Sequence, residues 1–235
     1  MQDLSVNKPD YPDWRSKGEV FTYLRYYWRD LVLFALFYAS MWIMQLVNRP
    51  FGTVRSLEIP FDSKIPLLPW TVVIYNSWVI IIFFVGLFYL LRDRTLFRRY
   101  MLTMILGQLM ADITFPFFQT RVPVPYETVF AGEDIWSKLL SITYRVDNPY
   151  CGFPSIHVIV CTLSAFFIWK SKEAPAWMKV LVTLYFTAVA LTTVTTKQHV
   201  VLDIPGGLLY AFVAIPLGLP LLRFVERKFY PRPFR

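Results

Sequence analysis

The chain has 235 residues, 56% of them hydrophobic and only 17% charged, with a mean hydropathy of +0.44 and a formal net charge of +8. Soluble globular domains run nearer half apolar and a quarter charged, so this balance argues against a soluble fold, a disordered tail or a nucleic-acid reader. The charges fall in clumps between long apolar runs, which is how basic residues mark the cytoplasmic loops of a polytopic membrane protein and draw them to anionic headgroups.

A helix needs roughly 20 mostly apolar residues to cross a bilayer. Six stretches qualify: 31–47, 70–91, 100–118, 150–169, 180–196 and 200–224. The expected fold is therefore all-α, with six transmembrane helices. Residues 1–28 are read as a cytoplasmic and interfacial segment, 29–228 as the membrane domain and 229–235 as a cytoplasmic tail. The first 28 residues lack the apolar core of a secretory signal. Within them, Tyr23, Tyr26, Tyr27 and Trp28 beside Arg25 and Arg29 suit an interfacial helix over 21–29, with a plain aromatic belt as the alternative. A cytoplasmic N-terminus puts seventeen of the 24 basic residues inside and leaves only Arg49, Arg55, Lys64, Arg121, Lys138, Arg145 and Lys197 outside. Both termini are then cytoplasmic. The longest connection, 119–148, lies outside the membrane. Cys151 and Cys161 offer no disulfide framework.

The sequence holds two histidines. His157 lies in Pro154-Ser155-Ile156-His157 at the outer start of the fourth span, and His199 in Lys197-Gln198-His199-Val200-Val201-Leu202-Asp203 between the fifth and sixth. The topology, derived without them, puts both at the extracytoplasmic surface. His199 and Asp203, four apart, share a helix face. A carboxylate on one ring nitrogen leaves the other free to attack or to take a proton. Pro154 suits the first position of a helix, whose free amides would form a phosphate cradle. There Ser155 adds a hydroxyl and His157 reaches a leaving-group oxygen. Helix capping and anchoring are the simpler readings of each motif alone; their coincidence favours a shared site.

These two motifs resemble the second and third signatures of the type 2 phosphatidic acid phosphatase superfamily, six-helix membrane enzymes related to the vanadium haloperoxidases. The 65–70 entry into the second span is similar to that of bacterial members. The resemblance implies a metal-independent lipid-phosphate phosphatase with no cofactor, acting through a phosphohistidine at the extracytoplasmic leaflet of a bacterial plasma membrane. Its substrate would be phosphatidic acid, phosphatidylglycerol phosphate or an isoprenyl diphosphate. It makes His199 the nucleophile, Asp203 its orienting carboxylate, His157 the general acid and Ser155 a phosphate ligand. The chain departs from the pattern at Ile156, where glycine is usual, at Thr192 and Thr193, where Ser-Arg is usual, and in lacking a standard first motif. Lys197 and Arg121 are the candidate replacements for the missing cations, although an interfacial anchor and a solvated loop arginine are the plainer readings. The missing cations also keep open a headgroup phosphotransferase similar to inositol phosphorylceramide and sphingomyelin synthases, and a non-catalytic scaffold or transporter. Asp112, inside the third span, pairs with Arg121 or packs the span. Scattered carboxylates and two histidines offer no dense metal ligand set.

Overall fold

The computed structural model describes residues 20–50 and 52–229. Most of the predicted 1–28 segment and all but one residue of the 229–235 tail lie outside the described residues. Among these residues the chain forms eight α-helices and no strands: α1 (Val20–Val47), α2 (Val72–Arg92), α3 (Arg94–Phe117), α4 (Tyr126–Phe130), α5 (Ile135–Val146), α6 (Ile156–Lys170), α7 (Ala176–Thr195) and α8 (Asp203–Phe229). Helices α1, α2, α3, α7 and α8 are long and apolar enough to cross a membrane. Their outward faces carry large apolar side chains such as Trp42, Phe84, Phe117 and Phe212, the reverse of a soluble surface and the expectation for lipid contact.

Two details differ from the sequence reading. The fourth stretch, 150–169, forms a helix of only 15 residues, because the chain stays irregular through Pro149 and Pro154 and enters α6 at Ile156 with Ser155 as N-cap. Proline biases the residue before it away from the helical region, so two prolines five residues apart keep the approach non-helical, with a turn at 149–150 and a bend at 153–154. No separate helix spans 21–29 either. The stretch 20–47 contains neither glycine nor proline, and it forms one unbroken helix of 28 residues, about 42 Å long at 1.5 Å per residue.

The amphipathic helix lies in the 119–148 connection instead. Asp134 caps α5 by accepting from Trp136 N at 2.9 Å and Ser137 N at 3.1 Å, as short acceptors at N-caps do. Ile135, Leu139, Ile142 and Val146, at helical spacing, form an exposed apolar stripe, while Leu140 and Tyr144 are buried opposite.

Helices α3 and α6 occupy the centre: α3 packs on α1, α2, α6 and α8, and α6 on α3, α7 and α8. Asp93 alone joins α2 to α3 and caps the latter through Leu96 N at 2.9 Å. At the same end, fully buried Asp30 of α1 accepts from Arg94 Nε at 2.8 Å and Arg98 Nε at 2.7 Å. Two of the arginines that read as loop charges thus lock α1 onto α3. At the opposite end Gly206 and Gly207 let α8 close on α6. A Cβ on Gly207 would meet Val158 Cβ at 2.6 Å and the Ser155 carbonyl at 2.8 Å, and one on Gly206 would meet the Phe153 ring at 2.2 Å. Small residues permit such backbone approach in membrane bundles, and here they bring the first turn of α8 against the first turn of α6.

Candidate active site

That approach joins the two histidine motifs. His199 Nδ1 lies 3.1 Å from Asp203 Oδ2, and His199 Nε2 lies 3.4 Å from His157 Nδ1. The Asp203 carboxylate, fully buried, also accepts from Val200 N at 3.0 Å through the same oxygen, while Oδ1 has no partner. With Asp203 as acceptor, His199 carries its proton on Nδ1 and exposes the Nε2 lone pair, toward which the Nδ1–H of His157 then points. The His157 ring is held by Tyr75, stacked at 4.5 Å between centroids, and by Trp78, edge-on at 5.0 Å. His199 sits in the turn before α8 rather than on the helix, because α8 starts at Asp203. The pair still meets, through a tight turn closed by Asp203 N to Val200 O at 3.0 Å.

That turn is fixed by the end of α7. Gln198 N bonds to Thr193 O at 3.0 Å and Lys197 N to Val194 O at 3.3 Å, which is the Schellman closure of a helix. It demands a left-handed residue, usually glycine, yet Lys197 occupies the position at φ 54. An ordinary L-residue there costs about 1–2 kcal/mol. The lysine side chain offsets this by donating to the carbonyls of Asp62 at 2.9 Å and Ile65 at 2.6 Å. The Asp62 carboxylate closes the other side of the clamp, accepting from Val201 N at 2.8 Å and Ile59 N at 2.8 Å. Tyr144 of α5 adds a third strut, donating its hydroxyl to Thr196 O at 2.7 Å. Asp62 escaped the sequence reading because an acid in a proline-flanked loop carries no motif. Asp62→Ala is expected to cut turnover about ten- to hundredfold, the scale of an ångström-sized misplacement of a reacting group, while substrate KM moves less than kcat. Steady-state kinetics on a lipid phosphate will check it.

The other predicted site residues have different partners. Ser155 is wholly buried, its hydroxyl accepting from Val158 N at 3.4 Å as the cap of α6 and its own N–H directed at Asp203 O at 3.4 Å. Pro154 precedes this cap instead of opening the helix, so part of the expected amide cradle is already engaged. Lys197 is committed to the two carbonyls. Arg121 is exposed and, with Arg55, lines a separate pocket that includes neither histidine. Asp112 accepts from Gln108 Nε2 at 3.0 Å, one helical turn away; no bond to Arg121 forms. Among the described residues no group of three or more His, Cys, Asp or Glu side chains is arranged to hold a metal ion.

The histidines open onto a cavity of about 740 Å³ between α1, α2 and α5. Tyr38, Met41, Trp42 and Met44 of α1 and Trp78 and Val79 of α2 make one side apolar, and Gln108, Gln198, Asn148 and Asp147 add polar groups near the imidazoles. Asn48 donates to Asp147 at 2.8 Å. Burial pushes the Asp147 carboxyl up from its usual 3.8 to about 6, against the opposing pull of His199 and Asn48. A carboxyl raised in the fold stabilises it while protonated. That contribution is full below about pH 3.8 and is lost as pH rises through about 6. Asp147→Asn should therefore raise Tm at pH 7 by about 2–4 °C more than at pH 4. Thermal unfolding at the two pH values tests this, and an equal shift at both contradicts it.

The structure thus sets a carboxylate-backed histidine pair at one end of a helical bundle whose outer faces are apolar. A model of the PAP2 superfamily matches residues 50–217, and the chain belongs to that superfamily. No curated protein matches it.

Proposed function

We propose that this protein is a metal-independent enzyme that cleaves a phosphate ester of a membrane lipid through a phosphohistidine on His199. The observation that carries the reading is the contact between the two histidines of the chain, with Asp203 behind one of them. Asp203 fixes the His199 tautomer and stabilises the imidazolium-like charge that grows as Nε2 attacks phosphorus. His157, on the far side of the attacking nitrogen, gives a proton to the departing alkoxide and takes one back from the incoming nucleophile. The 3.4 Å separation is that of a hydrogen bond, so phosphorus reaches Nε2 as the His157 ring yields. The catalytic domain is 29–228. The distribution of basic residues supports cytoplasmic termini and an extracytoplasmic site, and the resemblance to bacterial members is the support for a bacterial plasma membrane.

With water as the second nucleophile the enzyme is a lipid phosphatase acting on phosphatidic acid, phosphatidylglycerol phosphate or an isoprenyl diphosphate. With an alcohol it is a headgroup phosphotransferase. A cavity of about 740 Å³ beside the histidines has room for an acceptor next to a lipid headgroup, which favours keeping the second form. The test is incubation of the purified chain with those three lipids, with and without a chelator. Phosphate release that survives chelation and vanishes in His157→Ala supports the phosphatase; transfer to a labelled alcohol without phosphate release supports the transferase. Silence on every lipid and every acceptor sinks both and leaves a scaffold or transporter.

A further inference from the structure

Among the described residues no lysine or arginine lines the cavity in front of the histidines. Besides the histidines, its polar lining is made of neutral amides and hydroxyls, among them Gln45, Asn76, Gln108, Asn148 and Gln198, with one carboxylate, Asp147. The cost of taking an ion out of water grows with the square of its charge, so a dianion costs about four times as much as a monoanion of similar size. Neutral amides cannot make up that difference, and a nearby carboxylate adds to it. A phosphomonoester carries about −1.5 to −2 at neutral pH. A phosphodiester has one ionisable oxygen and stays a monoanion.

Gln198 supplies the specific donor. It is 93% buried, with 7% of its surface exposed, yet it lines the cavity, and its Nε2 has no hydrogen-bond partner. A buried donor left without a partner is unfavourable, and a phosphoryl oxygen would satisfy it. Its backbone is pinned by the bond from Gln198 N to Thr193 O, and it directly precedes the attacking histidine. We infer that Gln198 donates its side-chain amide to a non-bridging oxygen of the substrate and that the cavity selects lipid phosphodiesters over phosphomonoesters. The inference rests on the phosphohistidine reading and narrows its substrate class, leaving either water or an alcohol as the second nucleophile. In the first step the Nε2 lone pair of His199 forms the N–P bond and the bond to one ester oxygen breaks. His157 protonates that alkoxide, and the second ester stays on phosphorus. An alcohol or water then breaks the N–P bond and returns its proton to His157, giving a new diester or a monoester.

Short-chain phosphatidylglycerol and phosphatidic acid with the same acyl groups are the probes, used with the full chain in detergent. Calorimetric titration should show the diester binding at least tenfold more tightly, and turnover should show the same order in kcat/KM. Gln198→Met, close in size, should lower diester kcat/KM about ten- to hundredfold with Tm unchanged. Gln198→Lys should shift preference toward the monoester. Equal or tighter monoester binding by the wild type overturns the selectivity, and Gln198→Met or Gln198→Lys that behaves as wild type overturns the role of the amide. Diester turnover that persists in His199→Ala instead removes the phosphohistidine reading beneath both.

Discussion

His199→Gln is expected to reduce lipid-phosphate cleavage by about 10⁴-fold or more, the scale on which loss of a covalent nucleophile is felt when only binding and electrostatic stabilisation remain. Glutamine keeps a polar group of similar reach but has no nitrogen lone pair to attack phosphorus. The loss should fall on kcat, because the cavity walls that hold the lipid are untouched. Acid-labile, alkali-stable phosphate should accumulate on the wild-type chain during turnover and be absent from His199→Gln. Labelled phosphate on another residue, or turnover of the variant within tenfold of wild type, would remove His199 from the mechanism.

Asp203→Asn should cost about 10²–10⁴-fold in kcat, with little change in stability. The kinetic loss follows from the geometry: Oδ2 is the acceptor that keeps the His199 proton on Nδ1, and an amide that turns its nitrogen toward the ring stabilises the wrong tautomer. It also removes the negative charge that steadies the forming imidazolium. Stability should hold because the carboxylate is fully buried with one oxygen unpartnered. Removing so poorly satisfied a charge offsets the hydrogen bond it loses. A large fall in Tm alongside the rate would instead make Asp203 an anchor for α8, and parallel kinetics and thermal unfolding separate the two outcomes.

The membrane class was legible in the sequence because lipid rewards a gross property, an apolar run of fixed length. Five of the six stretches became long helices for that reason, and the sixth fell short where Pro149 and Pro154 override hydropathy. The meeting of His157 with His199 was legible because both sit at helix ends that the charge distribution placed at one surface. Roles that depend on what a side chain does not do were hidden. Lys197 read as a candidate phosphate ligand or an interfacial anchor, but its left-handed backbone and two carbonyl partners depend on the path of residues 59–65, which no local pattern encodes. Arg121 and Ser155 matched by position in the chain, while packing turned one outward and used the other as a cap. Residues 119–148 read as a single loop because the stripe of α5 is interrupted by Lys138 and Arg145, so it lacks the hydropathy of a span although its spacing is helical.

The shortness of α6 bears on where the reaction takes place. Fifteen residues reach about 22 Å, while the hydrocarbon layer is about 30 Å thick. A helix whose Lys170 end is level with one headgroup plane therefore stops about 8 Å short of the other. Its first turn, with His157, would then sit below that plane. Under the proposed reaction a lipid headgroup would descend and shed water to be cleaved there, and a hydroxyl dissolved among the lipids would gain on bulk solvent in the second step.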